Sequence, residues 1–91
     1  MVCLARYDPP TGAWREWPLP GNDPAAYAVY VDENDRVWLN DFGANAVLRF
    51  DPQSETFQSF PIPRPYADVR QMLGRAGEVW AAESGSDHLT V

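Results

Sequence analysis

Any chemistry in this sequence has to come from carboxylates. It holds one histidine, His88, and one cysteine, Cys3, against thirteen aspartates and glutamates. A His/Cys metal cluster therefore cannot form, and no phosphate loop, Gly-x-Gly-x-x-Gly fingerprint or Gly-x-Ser-x-Gly elbow is present. Cys3 cannot close an internal disulfide, and a single thiol in an apolar stretch reads as a small hydrophobe. His88 reads as a packed or surface side chain rather than a ligand. Carboxylates gathered at one place would suit a hard divalent cation or a cationic ligand. Scattered over loops, they would only solvate a face.

The net charge is −6 and all seven basic residues are arginine. That balance excludes a nucleic-acid partner, whose phosphates need a positive footprint, and argues against anionic membranes as well. The longest apolar stretches, such as Ala25–Val31, fall far short of the roughly 20 residues of a membrane helix. Met1-Val2-Cys3-Leu4-Ala5 lacks a basic region followed by a long apolar run, so no signal peptide is visible and localisation stays open between cytoplasm and export. A composition of 45% apolar and 22% charged residues is globular. A domain of this size has little stability margin by itself, so further sequence or partner copies are expected around it.

The elements that position these residues are set by an internal repeat. Leu4-Ala5-Arg6-Tyr7-Asp8-Pro9 through Trp14-Arg15-Glu16-Trp17-Pro18-Leu19-Pro20 aligns with Val47-Leu48-Arg49-Phe50-Asp51-Pro52 through Phe57-Gln58-Ser59-Phe60-Pro61-Ile62-Pro63, a shift of 43. Val37-Trp38-Leu39-Asn40-Asp41-Phe42-Gly43 aligns with Val79-Trp80-Ala81-Ala82-Glu83-Ser84-Gly85, a shift of 42. That period fits a four-stranded propeller blade or a two-helix repeat. Short β-branched and aromatic runs, each followed by turn residues, together with nine prolines, favour strands.

The expected fold is therefore all-β: four-stranded antiparallel propeller blades, about two of them, with residues 1–91 forming part of a ring. Strands c and d occupy 2–17. A full blade over 26–61 has strands at Tyr27–Val31, Arg36–Asp41, Asn45–Phe50 and Thr56–Phe60. An incomplete last blade covers 67–91, with strands near Asp68–Leu73, Glu78–Ala82 and Asp87–Val91. Antiparallel order puts the d–a and b–c connections on one face of the ring. Asp23, Asp41, Asn45, Arg64, Tyr66, Asp68, Glu83 and Asp87 then form an acid-rich rim, with Tyr27 set back from it. Trp38 and Trp80, at the same place in successive blades, are expected to pack between neighbouring sheets.

Arg49-Phe50-Asp51-Pro52, the Phe57–Pro63 segment and above all Val37-Trp38-Leu39-Asn40-Asp41-Phe42-Gly43-Ala44-Asn45 look like the blade pattern of the streptogramin (virginiamycin B) lyases. The resemblance covers nearly the whole chain and implies a seven-bladed ring. It also implies an activity: opening of a cyclic depsipeptide ester by elimination, assisted by Mg²⁺ and a general-base histidine. The family carries its histidines in a Pro-His-Gly context at the start of inner strands. The equivalent places here read Pro24-Ala25-Ala26-Tyr27 and Pro65-Tyr66-Ala67-Asp68, without a histidine. Glu83, at the end of its strand b, matches an active-site glutamate and is the one catalytic residue carried over. The expected function is that of a lyase-like propeller portion, inactive alone, whose partners are the remaining blades and a small-molecule ligand. The rival expectation is a non-catalytic scaffold that completes its ring with further copies of itself.

Overall fold

The computed structural model describes residues 2–91. It is all-β, with nine strands in three antiparallel sheets and no helix among the described residues. The N-terminal sheet pairs β1 (Cys3–Asp8) with β2 (Ala13–Pro18). The middle sheet runs β3 (Val29–Val31), β4 (Val37–Asp41), β5 (Ala46–Asp51) and β6 (Thr56–Pro61), each strand hydrogen-bonded to the next. The C-terminal sheet runs β7 (Val69–Arg75), β8 (Glu78–Glu83) and β9 (His88–Thr90). Consecutive antiparallel strands of this kind are the wall unit of a propeller blade.

The repeat in sequence is a repeat in geometry. In the β5–β6 turn, Glu55 N–H donates to Asp51 O at 2.7 Å and Glu55 sits at φ 57°. The β1–β2 turn is built the same way: Gly12 N–H donates to Asp8 O at 2.8 Å with Gly12 at φ 72°. The aspartate that opens each turn also takes local donors onto its side chain, Gln53 N–H on Asp51 Oδ1 and Thr11 Oγ1 on Asp8 Oδ2. Beyond the d strands, Leu19 N–H reaches Val2 O and Ile62 N–H reaches Asn45 O.

Strand β3 is shorter than the expected Tyr27–Val31, and the cause is local. The N–H groups of Tyr27 and Ala28 both donate to the side-chain Oδ1 of Asn40, at 2.8 and 2.6 Å. Those two residues are bonded to a side chain where a ladder would have bonded them to backbone. Pairing starts only at Val29, opposite Leu39.

Two apolar layers lie between the sheets. Leu19, Leu39 and Leu48 are buried between the N-terminal and middle sheets, with Leu4, Val37 and Phe57 packed against them. Trp17 reaches across to Phe50, ring centroids 4.8 Å apart, and Phe50 meets Phe57 at 4.9 Å with the rings tilted by 47°. Arg15 and the indole N–H of Trp17 close the outside of this layer on Glu55 Oε1. Val47, Ile62, Ala67, Val69, Met72 and Ala81 form the second layer, between the middle and C-terminal sheets, with Ala28, Tyr30, Trp38 and Val79 against it. Each large side chain fully buried this way contributes about 1.5–3 kcal/mol.

Trp38 behaves as expected. It stacks on Phe60 at 5.8 Å beneath the guanidinium of Arg49 and donates its indole N–H to Asp32. Trp80, its repeat counterpart, does not lie between sheets. It points off the far face of the C-terminal sheet and is 39% exposed, because no further sheet stands there among the described residues. Leu73 and Leu89 share that exposed face with it.

Candidate functional site

The rim is formed where β4 and β8 end and the chain turns into the next strand. Two glycines set how closely the connections approach. A Cβ on Gly43 would meet Asp23 O at 1.9 Å, and one on Gly85 would meet Tyr66 O at 2.1 Å. Only glycine lets the b–c turn lie against the d–a connection this tightly. Both blades therefore present the same backbone frame at the rim, on which different side chains are mounted.

In the middle sheet, Asp41 is buried and its Oδ1 accepts N–H bonds from Ala25 at 3.0 Å and Gly43 at 2.9 Å. It ties the incoming connection to its own turn. Beside it Asn40 is also buried, its Oδ1 holding Tyr27 and Ala28. Its Nδ2 is the one buried side-chain polar atom without a partner among the described residues. Asn45, at φ 51°, spans to the next connection: Nδ2 donates to Arg64 O at 2.7 Å and Ile62 O at 3.3 Å, while Oδ1 accepts from Ala67 N–H at 3.0 Å.

In the C-terminal sheet the place of Asp41 is taken by Glu83, which is 1% exposed. Its carboxylate is fully engaged. Arg64 donates from Nε to Oε1 at 2.9 Å and from Nη2 to Oε2, Ser86 Oγ donates to Oε1 at 2.7 Å, and Thr90 Oγ1 donates to Oε2. The paired Arg64 guanidinium, helped by the two hydroxyls, pulls the carboxyl down to about 2 against the opposing effect of burial. Glu83 is thus ionised throughout the neutral range and held in one orientation.

The remaining rim residues are arranged differently. Tyr66 is 82% exposed and backbone-strained at φ 53°. Asp68, at φ 50°, is half-buried and its main-chain oxygen accepts Ser84 Oγ at 2.6 Å. Asp87, at φ 59°, and Asp23 are exposed. Tyr27 is exposed with its ring 6.3 Å from Phe42, over which Arg70 lies at 5.9 Å. His88 stands opposite Glu83 in the β8–β9 register, exposed, with Nδ1 2.5 Å from Ser86 O.

These residues do not gather into one donor set: among the described residues no three His, Cys, Asp or Glu side chains come together to hold a metal. The buried Glu83 carboxylate is committed to Arg64, Ser86 and Thr90. The described residues therefore do not by themselves fit Mg²⁺.

Sequence reasoning placed Asp41, Asn45, Arg64 and Glu83 on one rim but missed the Arg64–Glu83 pair and the Asn40 clamp. A signal for the pair exists in the repeat. Where the C-terminal blade has Arg64 and Glu83, the middle blade has Gly21 and Asp41, and a Cβ on Gly21 would lie 3.9 Å from Asp41 Oδ2. Both members of the pair change together.

No family model matches the sequence, nor does any curated protein. Solved structures do. A streptogramin B lyase structure superposes with a TM-score of 0.78 at 25% identity, covering 88% of this chain and 26% of that one. Virginiamycin B lyase from Staphylococcus aureus gives 0.68 at 25% identity over 75% and 23% of the two chains. A catalytically inactive histidine-to-alanine variant of that lyase, with quinupristin, gives 0.73 at 20% identity over 88% and 30%. The chain is therefore similar in structure to the streptogramin B and virginiamycin B lyase propellers, and it spans about a quarter of their length.

Proposed function

We propose that this chain is a wall portion of a lyase-like propeller whose complete ring opens a cyclic depsipeptide ester by elimination, and that the chain alone does not turn over substrate. The observation that carries this reading is the state of Glu83. Elimination needs a base to take the proton beside the carbonyl, with a pKa near working pH, and positive charge where the enolate develops. A carboxylate held near pKa 2 and saturated by four donors is too weak and too occupied to be that base. It serves instead to fix Arg64 at the rim.

The base and most of the charge stabilisation would then come from other blades. His88, the one histidine, lies exposed on β9 opposite Glu83, outside the Pro24–Tyr27 and Pro65–Asp68 segments that lead into the inner strands. One of the similar lyases is catalytically inactive as a histidine-to-alanine variant, which accords with a need for histidine that this chain does not meet at its inner strands. Mg²⁺, where the complete ring holds it, would supply positive charge, with ligands contributed outside these residues. The test is an assay of the purified 91-residue chain for opening of a streptogramin B substrate with Mg²⁺ present. No turnover is expected. Robust turnover by a verified monomer would overturn the proposal.

A further inference from the structure

The two rim junctions share a backbone frame and differ in how a carboxylate is served. Between the middle and C-terminal sheets the Arg64 guanidinium lies on the Glu83 carboxylate, whose oxygens also accept from the hydroxyls of Ser86 and Thr90. Between the N-terminal and middle sheets the same four places hold Gly21, Asp41, Ala44 and Leu48. The arginine and both hydroxyl donors are replaced, but an acid is kept. Asp41 is 2% exposed. Its Oδ1 accepts the N–H groups of Ala25 at 3.0 Å and Gly43 at 2.9 Å, whereas Oδ2 accepts no hydrogen bond from the described residues and, unlike Asn40 Nδ2, is not sealed from solvent. Oδ2 lies beside the place where Gly21 has no side chain. A Cβ on Gly21 would stand 3.9 Å from it and, chain neighbours aside, within 4 Å of no other heavy atom. A carboxylate oxygen of a nearly buried side chain is costly without a donor, and no arginine among the described residues pairs with this one.

We propose that the notch between Gly21 and Asp41 binds the guanidinium group of a small-molecule ligand, seated on Asp41 Oδ2 as Arg64 is seated on Glu83. A guanidinium is planar, donates N–H bonds along its edge and is more weakly hydrated than an ammonium, which suits a carboxylate set back from the surface. Asp41 is one methylene shorter than Glu83 and Gly21 puts nothing in front of it, so the cation comes from outside the chain. The exposed carboxylate of Asp23, two residues after Gly21, adds to the attraction. A divalent metal would need several oxygens in fixed geometry, and Asp41 offers a single open one. The site stands whether or not the complete ring is a lyase.

The probe is methylguanidinium chloride, titrated into the 91-residue chain at constant ionic strength and followed by amide NMR signals. The amides of Ala25 and Gly43 report on the site, since both donate to Asp41 Oδ1. They are expected to shift saturably with a Kd on the order of 10 mM, and methylammonium is expected to bind at least about threefold more weakly. Tetramethylammonium, which has no N–H, and Mg²⁺ are expected to leave them in place. Asp41→Asn keeps the Oδ1 acceptor for both amides but puts an NH₂ group where Oδ2 stood, and the saturable shifts should vanish. The comparison among probes on the parent chain decides the matter if that variant does not fold. The proposal is overturned by no saturable shift below about 100 mM methylguanidinium, by equal shifts from tetramethylammonium or Mg²⁺, or by shifts that survive Asp41→Asn. Shifts of the same amides on concentrating the chain alone would overturn it in favour of an arginine from a second copy.

Discussion

Arg64 and Glu83 meet as a two-bonded ion pair, Nε to Oε1 at 2.9 Å and Nη2 to Oε2, joining the connection that leaves the middle sheet to the end of β8 in the C-terminal sheet. The glutamate is buried and the arginine side chain 34% exposed. The pair therefore links two blades at the rim, and its strength depends on the charge of one buried group.

Glu83 should make stability depend on acid. The Arg64 guanidinium holds its carboxyl down at about 2 in the folded chain, well below the usual 4.5 of a glutamate. A group depressed in this way stabilises fully above its unfolded pKa and loses that contribution as pH falls through the folded one. The contribution is on the order of 3 kcal/mol, present at neutral pH and disappearing between about pH 5 and 2. Urea unfolding followed across this range should show Glu83→Gln less stable than the parent at pH 7 and converging on it near pH 2. Parallel curves with a constant gap would show that the charge is not the source.

Asn45 should be among the most sensitive polar residues of the rim. Its side chain makes three hydrogen bonds to the connection that leads from β6 into the C-terminal sheet, and its backbone sits at φ 51°. Asn45→Ala removes those bonds, each worth about 0.5–1.5 kcal/mol net, and adds about 1 kcal/mol of left-handed strain. Asn45→Gly removes the same bonds without the strain. Denaturation midpoints should rank parent above glycine above alanine; equal midpoints for the two variants would remove strain from the account.

Trp38 and Trp80 hold one repeat position with opposite consequences. Trp38→Ala takes a ring out of the layer between sheets and should cost about 3 kcal/mol. Trp80→Ala should change stability by less than about 1 kcal/mol, since its ring rests on no other sheet, and should lower non-specific association by shrinking the apolar face. Unfolding curves and light scattering on the two variants separate these effects.

Much of this was legible in the sequence. The 42–43 residue repeat marked nearly every strand, because each short β-branched or aromatic run is closed by a turn whose chemistry recurs, Asp8 and Asp51 above all. The departures came where side chains from distant positions intervene. Asn40 shortens β3 by taking the N–H groups of Tyr27 and Ala28, a claim that nothing in residues 27–31 announces. Glu83 and Arg64 lie 19 positions apart, and their union depends on how the connection folds over Gly85. The exposure of Trp80 depends on what stands beyond its sheet, which a periodic pattern does not record.

The two glycine contacts at the rim, Gly43 against Asp23 O and Gly85 against Tyr66 O, have a bearing on how such a molecule can change over generations. They let each turn lie against the connection beside it through main chain, and the Asn45 side chain and the Arg64–Glu83 pair add their ties to that frame. Gly21 with Asp41 and Arg64 with Glu83 are two fillings of one frame. Selection can exchange such a filling at one junction between blades while the main-chain frame at the next is kept, so near-identical staves can carry unlike side chains along one edge.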